Sequence, residues 1–187
     1  GAGLLVQSLV EKGHSTIAGI FQMDDQRGLE RYQGFLDAMQ NQGLTVPDRN
    51  ICWYTNLDIK KRHEDLLLYR RYTAFICEDD FIAWLLWEEL SLGQEKKIAT
   101  HASLSSSLQS TGFKTTSADH SFETTIALAA FNTSYLTTSG LLRATTLTHQ
   151  THQPGTLAAQ MSINKLKGLP VSSQEVPWQL SLPKSHN

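Results

Sequence analysis

Three polar side chains fall where a chain of this kind could hold a small ligand. Arg31 lies beside a polar loop that follows an apolar run, Asp79 lies where a second apolar run turns into a predicted helix, and Asn132 directly follows a third. The planar guanidinium of an arginine matches pairs of hydroxyl groups or a carboxylate. Proteins often bind sugars with polar side chains of this kind next to aromatic rings, here Tyr32 and Phe131. Ordinary helix caps and turns explain the same three residues equally well. As a loop residue, Arg31 is expected to contribute little to the fold itself.

Combinations of residues that carry catalysis are largely missing. The sequence has no Gly-x-Ser-x-Gly elbow, no Walker-type loop and no Gly-x-Gly-x-x-Gly turn. Cys77 precedes three acidic residues, and neighbouring negative charge raises the pKa of a thiol and lowers its reactivity. His149 and His152 have a spacing that suits half of a metal site, but a third ligand at a recognisable spacing is lacking. We therefore expect no enzyme, no cofactor and no metal.

Strands and helices that alternate along the chain must position these residues. Helices are predicted over residues 3–12, 29–41, 60–71, from Asp79 or Asp80 to about residue 90, and over 154–167. Strands are predicted over residues 16–21, 51–54, 74–77, 124–131 and 145–148, with an edge strand over 175–182. This alternation indicates a doubly wound parallel α/β sheet, in which ligands bind at the carboxyl ends of the strands. Residues 91–122, rich in Ser, Thr, Gln and His, interrupt the pattern.

Composition and charge disfavour several classes of protein. The formal net charge of -2 over 187 residues argues against a nucleic-acid interface, which needs clustered Lys and Arg. No apolar run approaches the roughly 20 residues of a membrane span, and no signal peptide is visible. Cys52 and Cys77 lie in apolar runs, which fits a reducing compartment and a cytoplasmic protein. The chain opens without a Met in a helix-like pattern, so we expect it to be part of a longer protein.

Five sequence patterns occur in the order in which LacI/GalR-type repressors have them. The opening Gly-…-Leu-…-Gly-His-…-Ile run, residues 31–35 (Arg-x-x-Gly-aromatic) and residues 79–83 resemble three of the family's patterns. Phe131-Asn132 resembles the family's aromatic-Asp-Asp, and residues 145–149 resemble the strand that leads back to the first lobe. Residues 19–28 most resemble the arabinose repressors of Gram-positive bacteria, which join such a sensor to a GntR-type winged-helix head.

This resemblance implies a periplasmic-binding-protein-like architecture of type I with a truncated first lobe. Residues 1–22 and 150–187 would form the incomplete first lobe, and residues 23–149 the second lobe, with 91–122 as an insertion. The ligand-binding set carried over from the family is Arg31, Asp79, Asn132 and His149, and the dimer interface is Trp84 and Tyr135. The chain departs from the family where Asp79 replaces Asn, Asn132 replaces Asp and Thr133 replaces a second Asp.

The function implied by the resemblance is effector sensing for a sugar-responsive transcriptional repressor of arabinose or related pentose utilisation. The expected partners are L-arabinose or a similar sugar, a second copy of the chain, and operator DNA through a head outside this chain. No membrane partner is expected. The alternative is a solute-binding protein of a sugar transporter, which shares the fold.

Overall fold

A computed structural model describes residues 1–55, 72–91, 126–149 and 154–183. Its helices are α1 (Ala2–Glu11), α2 (Gln26–Asn41), α3 (residues 80–91), α4 (Tyr135–Thr138) and α5 (Pro154–Leu166), with a 3-10 turn at Asp48–Asn50. Its strands are β1 (Ile17–Gln22), β2 (Ile51–Tyr54), β3 (Ala74–Cys77), β4 (Ala127–Ala130), β5 (Thr145–His149) and β6 (Trp178–Ser181). The predicted helix over 60–71 and residues 92–122 of the predicted insertion lie outside the described residues.

The six described strands form one sheet in the order β2-β1-β3-β4-β5-β6. Neighbouring strands from β2 to β5 pair in parallel, and β6 pairs antiparallel with β5 at the edge. The predicted doubly wound parallel sheet and the predicted edge strand are therefore confirmed. Strand order reverses between β1 and β3, which in such sheets is the point where ligands bind.

Successive side chains along each strand point to opposite faces of the sheet, and they pack into two separate hydrophobic cores, one on each face. In β3, Phe75 and Cys77 pack on the face that α3 covers, with Ile82 and Leu86. Ala74 and Ile76 point to the other face, where apolar residues of α1 and α2 cover the sheet. The buried residues contributed there by the two helices are Ala2, Leu5, Val6, Leu9, Phe35, Ala38 and Met39. Helices on both faces explain why the strands are apolar on both sides rather than alternating with polar residues.

Helix α2 begins earlier than predicted because Asp25 caps it. The Asp25 carboxylate accepts a hydrogen bond of 2.9 Å from the backbone N–H of Arg27, so the helix starts at Gln26 rather than at residue 29. The extra turn brings Gly28 against β1, where a Cβ would collide with the carbonyl of Gln22. Only glycine therefore allows α2 to approach the end of β1 this closely.

The sheet continues across the predicted lobe boundary at residues 22 and 23, and the assignment of lobes stays a prediction. Strand β1 lies between β2 and β3, and α1 packs in the same core as α2, so residues 1–22 belong to the sheet that was assigned to the second lobe. Strand β6 joins that sheet as well. Helix α5 differs from α1 and α2 because none of its residues is buried. The expectation that its Leu166 faces a core is wrong, since this side chain is 88% exposed.

Candidate ligand-binding site

Arg31 reaches from α2 across the carboxyl ends of β3 and β4. Its Nη1 donates hydrogen bonds of 2.9 Å to the backbone carbonyl and to a carboxylate oxygen of Glu78. Its Nη2 donates a bond of 3.3 Å to Oδ1 of Asn132, and its guanidinium carbon lies 5.2 Å from the ring centroid of Phe131. The sequence-predicted pair of Arg31 and Asn132 is thus in direct contact, although 101 residues separate the two.

Glu78 is the group that sequence reasoning missed. It follows β3 directly and is 3% exposed. One carboxylate oxygen pairs with Arg31 at 2.9 Å, and the other accepts a hydrogen bond of 2.9 Å from the backbone N–H of Gln22. A carboxylate next to a buried strand needs a cation to be tolerated, and that requirement was the available signal. Arg31 therefore compensates a buried charge, and its removal is predicted to destabilise the fold, contrary to the expectation from the sequence.

Asp79 and Asp80 hold local structure around the site. The Asp79 side chain accepts a hydrogen bond of 2.9 Å from the backbone N–H of Ile82 and so caps α3. Asp80 is 4% exposed, and its carboxylate accepts bonds from the backbone N–H of Ser134 at 2.8 Å and from the hydroxyl of Thr137 at 3.4 Å. Asp80 thereby ties the loop after β4 to the start of α3.

His149 ends β5 at the same edge of the sheet and stacks on Trp178 of β6. The two ring centroids are 4.0 Å apart at an interplanar angle of 29°, and Nδ1 of His149 lies 3.2 Å from the carbonyl of Pro177. Trp178 was predicted as part of an edge strand but not as a site residue. Its indole offers the flat apolar surface on which the face of a sugar ring can stack.

Two open hollows meet at Trp178. The first, of about 360 Å³, is lined by Arg31, Gly34, Phe131 and Trp178 among others. The second, of about 440 Å³, is lined by Asp79, Asn132, His149 and Trp178 among others. The four predicted ligand-binding residues therefore lie along one edge, with Arg31 in the first hollow and the other three in the second. Their role in ligand binding stays a prediction.

Trp84 and Tyr135, the predicted dimer residues, have different surroundings. Trp84 packs partly against the core and stacks on Phe81, with ring centroids 6.2 Å apart. Phe81 is 49% exposed and Tyr135 is 75% exposed. These aromatic surfaces are available for contact, and the dimer itself stays a prediction.

The remaining candidate groups have structural surroundings. Cys77 is fully buried, and burial, with a smaller contribution from Asp79, raises the pKa of its thiol. Within the described ranges no three His, Cys, Asp or Glu side chains come together as metal ligands would. No helix among those ranges combines the length and apolarity that crossing a bilayer requires.

Sequence comparisons give two different descriptions. A family model described as "Adenine-specific methyltransferase EcoRI" matches residues 5–126, which is more than half of the chain. The arabinose metabolism transcriptional repressor of Geobacillus stearothermophilus is 33% identical over 95 residues, covering 47% of this chain and 26% of the relative. The repressor of the same name from Halalkalibacterium halodurans is 30% identical over 81 residues, covering 40% and 22%. The matched stretch thus spans about a quarter of the length of these curated relatives.

Solved structures of regulators share the fold over nearly the whole chain. A LacI transcriptional regulator from Bacillus cereus subsp. cytotoxis has a TM-score of 0.65 at 19% identity, covering 100% of this chain and 59% of that one. The Escherichia coli transcriptional repressor ascG has a TM-score of 0.66 at 18% identity, covering 97% and 59%. A complex of the regulator CelR with cellobiose has a TM-score of 0.65 at 18% identity, covering 97% and 50%.

The switch point of the sheet, between β1 and β3, is occupied by a hydrogen-bonded ion pair. A nucleoside cofactor in a doubly wound sheet would bind where the strand order reverses, which is between β1 and β3. There, Glu78 bonds to the amide of Gln22 and pairs with Arg31, and Gly28 leaves no room beside the Gln22 carbonyl. Among the described residues, the Arg31–Glu78 pair thus stands where a nucleoside cofactor would approach the ends of β1 and β3, which argues against a fit to such a cofactor.

Proposed function

We propose a sugar-sensing role for this chain within a transcriptional regulator of the LacI/GalR type, a role that its fold and its curated relatives support. By the match over residues 5–126, the chain belongs to the family described as Adenine-specific methyltransferase EcoRI. In this role the chain is the effector-binding part of a transcriptional repressor. Operator DNA is contacted by a separate DNA-binding head, since the formal net charge of -2 disfavours a nucleic-acid interface in this chain. The chain is not an enzyme.

The observation that carries the proposal is the composition of the carboxyl edge. Arg31 and Asn132 offer a guanidinium and an amide that touch each other, and Phe131 and Trp178 supply aromatic surfaces beside them. Amide and guanidinium groups donate to hydroxyl oxygens, and aromatic faces cover the apolar side of a sugar ring. Hollows of about 360 and 440 Å³ are large enough for a monosaccharide.

The effector is proposed to be L-arabinose or a related pentose, because the curated relatives are named for arabinose metabolism. A sugar switches a repressor only if it binds one arrangement of the protein more tightly than another. A coupling of about 1–3 kcal/mol between effector and DNA is usual for such proteins. A solute-binding protein of a transporter is not favoured, because the curated relatives are repressors.

Calorimetric titration of the chain with L-arabinose, D-xylose and D-ribose tests this function. We expect binding of a pentose, weakened about three- to tenfold in Asn132→Ala because one hydrogen bond to the ligand is lost. Asn41→Ala, a change of the same chemistry at the end of α2, is the control and should bind as the parent does. A folded chain that binds none of the sugars, or equal affinities of the parent and Asn132→Ala, would defeat the proposal.

Methyl transfer is the second candidate, on the strength of the family model match alone. It is tested by incubating the chain with labelled S-adenosylmethionine and an adenine-containing DNA duplex. We expect no binding of S-adenosylmethionine and no label in the DNA, since the buried Glu78–Arg31 pair stands at the ends of β1 and β3, where the cofactor would have to bind. Label transferred at a rate above that of a heat-inactivated sample would establish the methyltransferase instead.

A further inference from the structure

The positive charge of Arg31 is compensated inside the protein before any ligand arrives. Both hydrogen bonds of its Nη1 go to Glu78, one to the backbone carbonyl and one to the carboxylate, each at 2.9 Å. The Arg31 side chain is 18% exposed and the Glu78 side chain 5%. A guanidinium paired in this way carries almost no net charge toward a ligand, so it attracts an anion far less than a free arginine would.

Glu78 cannot move aside to release that charge. Its second carboxylate oxygen accepts the backbone N–H of Gln22 at 2.9 Å. The same oxygen lies only 3.0 Å from the position that a Cβ on Gly28 would occupy, so α2 closes over it. Replacing Glu78 by an anionic ligand would leave a carboxylate buried without a cation, which is strongly unfavourable.

Arg31 still has donors for a neutral ligand. Its guanidinium has five N–H groups, and three of them donate to Glu78 and Asn132. The Nε–H and one Nη2–H have no acceptor within the part of the chain that the structure describes. Other carboxylates along the edge, Glu30 in the first hollow and Asp79 and Asp80 in the second, add negative charge. The nearby Arg27 offsets little of it, because Arg27 pairs with Asp25 at 2.8 Å.

We propose that Glu78 is a specificity-determining residue that makes the Arg31 site accept neutral hydroxylated ligands and reject phosphorylated ones. This inference rests on the proposed sugar-sensing function and adds the charge class of the ligand. Arg31 donates directional hydrogen bonds to hydroxyl oxygens. The Glu78 carboxylate neutralises the positive charge of Arg31 that would otherwise attract a phosphate group. An unphosphorylated sugar is therefore the effector, and its phosphate ester is excluded.

The test measures the binding of inorganic phosphate by calorimetry at constant ionic strength. The parent chain is expected to show no binding at millimolar phosphate. Glu78→Gln keeps the shape and the acceptor for Gln22 but removes the compensating charge, so it should bind phosphate measurably, at least about tenfold more tightly than the detection limit that the parent sets. Adding Arg31→Met to Glu78→Gln should abolish that gain. Phosphate binding by the parent, or no gain in folded Glu78→Gln, would overturn the proposal.

A second variant covers the case in which Glu78→Gln does not fold, as judged by far-UV circular dichroism. Asn132→Lys adds an uncompensated cation at an exposed position next to Arg31 and leaves the buried pair intact. It should bind phosphate where the parent does not, and a lack of binding would refute the charge argument. L-arabinose is titrated in parallel: if the parent does not bind it, the sugar-sensing function fails, while the phosphate data still decide the role of Glu78.

Discussion

Removing Arg31 should destabilise the fold through the buried Glu78. Arg31→Ala leaves a 3%-exposed carboxylate whose remaining described partner is the backbone N–H of Gln22. Breaking one side of a buried ion pair costs roughly 3–5 kcal/mol. Because the Arg31 side chain is 18% exposed and the bond to Gln22 persists, we place the loss of unfolding free energy at the lower end, about 3 kcal/mol. For a chain of this length that lowers Tm by about 6–12 °C.

Urea and thermal unfolding, followed by far-UV circular dichroism, measure this loss in a double-mutant cycle. Glu78→Gln in the Arg31→Ala background removes the uncompensated charge and should recover part of the stability, giving a coupling energy of about 1–3 kcal/mol. Arg27→Ala is the matched control. The Arg27 side chain is 73% exposed and pairs with Asp25 at the surface, so its loss should leave Tm unchanged.

The reasoning fails if Arg31→Ala melts at the same temperature as Arg27→Ala. It also fails if Glu78→Gln costs as much stability in the Arg31→Ala background as in the parent. Either result would mean that the two side chains do not compensate each other in solution.

Three further predictions concern the core and the surface. Gly28→Ala should cost about 1–3 kcal/mol of stability because its Cβ meets the Gln22 carbonyl. Gly3→Ala, at an exposed position of α1, should add about 0.5–1 kcal/mol, and equal urea midpoints for the two variants would contradict the close approach of α2 to β1. Burial raises the pKa of the Cys77 thiol, so this thiol should react with Ellman's reagent only as fast as the chain unfolds. Immediate labelling of Cys77 in buffer would show instead that the thiol is accessible. Tyr135→Asp should yield monomers in sedimentation velocity at micromolar concentration, because the exposed Tyr135 is a predicted dimer contact. Leu166→Asp, at an exposed position outside that contact, should not change the oligomeric state. A parent chain that is already monomeric would contradict the predicted dimer.

Much of the fold could be predicted because secondary structure leaves a local pattern in the chain. Strands β2 and β3 have their predicted bounds, and β5 extends one residue beyond its prediction. Runs of apolar residues bounded by polar turns predict buried strands whatever their neighbours are. Because ligands bind at the carboxyl ends of parallel strands, the positions of Arg31, Asp79 and Asn132 in the sequence predict them as site residues.

The place of β1 in the sheet and the outward face of α5 could not be predicted in the same way. Periodicity shows that residues 17–22 form a strand, but it does not say which strands lie beside it. Only the register with β2 and β3 places β1 in this sheet. Likewise, the apolar spacing of Pro154–Leu166 predicts a helix, whereas the exposure of its side chains depends on what packs against it.

The ion pair at the centre of the site was decided by tertiary structure alone. Arg31 and Glu78 are 47 residues apart, and the local sequence around either residue does not predict that the two side chains pair. The parallel pairing of β1 with β3 brings the carboxyl ends of those strands together, and Gly28 lets α2 approach closely enough for Arg31 to reach across. Sequence alone placed Arg31, Asp79 and Asn132 at this edge of the sheet, because each lies at or just beyond the carboxyl end of a predicted strand. Whether Arg31 meets a ligand as a free cation or as a compensated donor depends on a carboxylate that only the folded sheet brings to it.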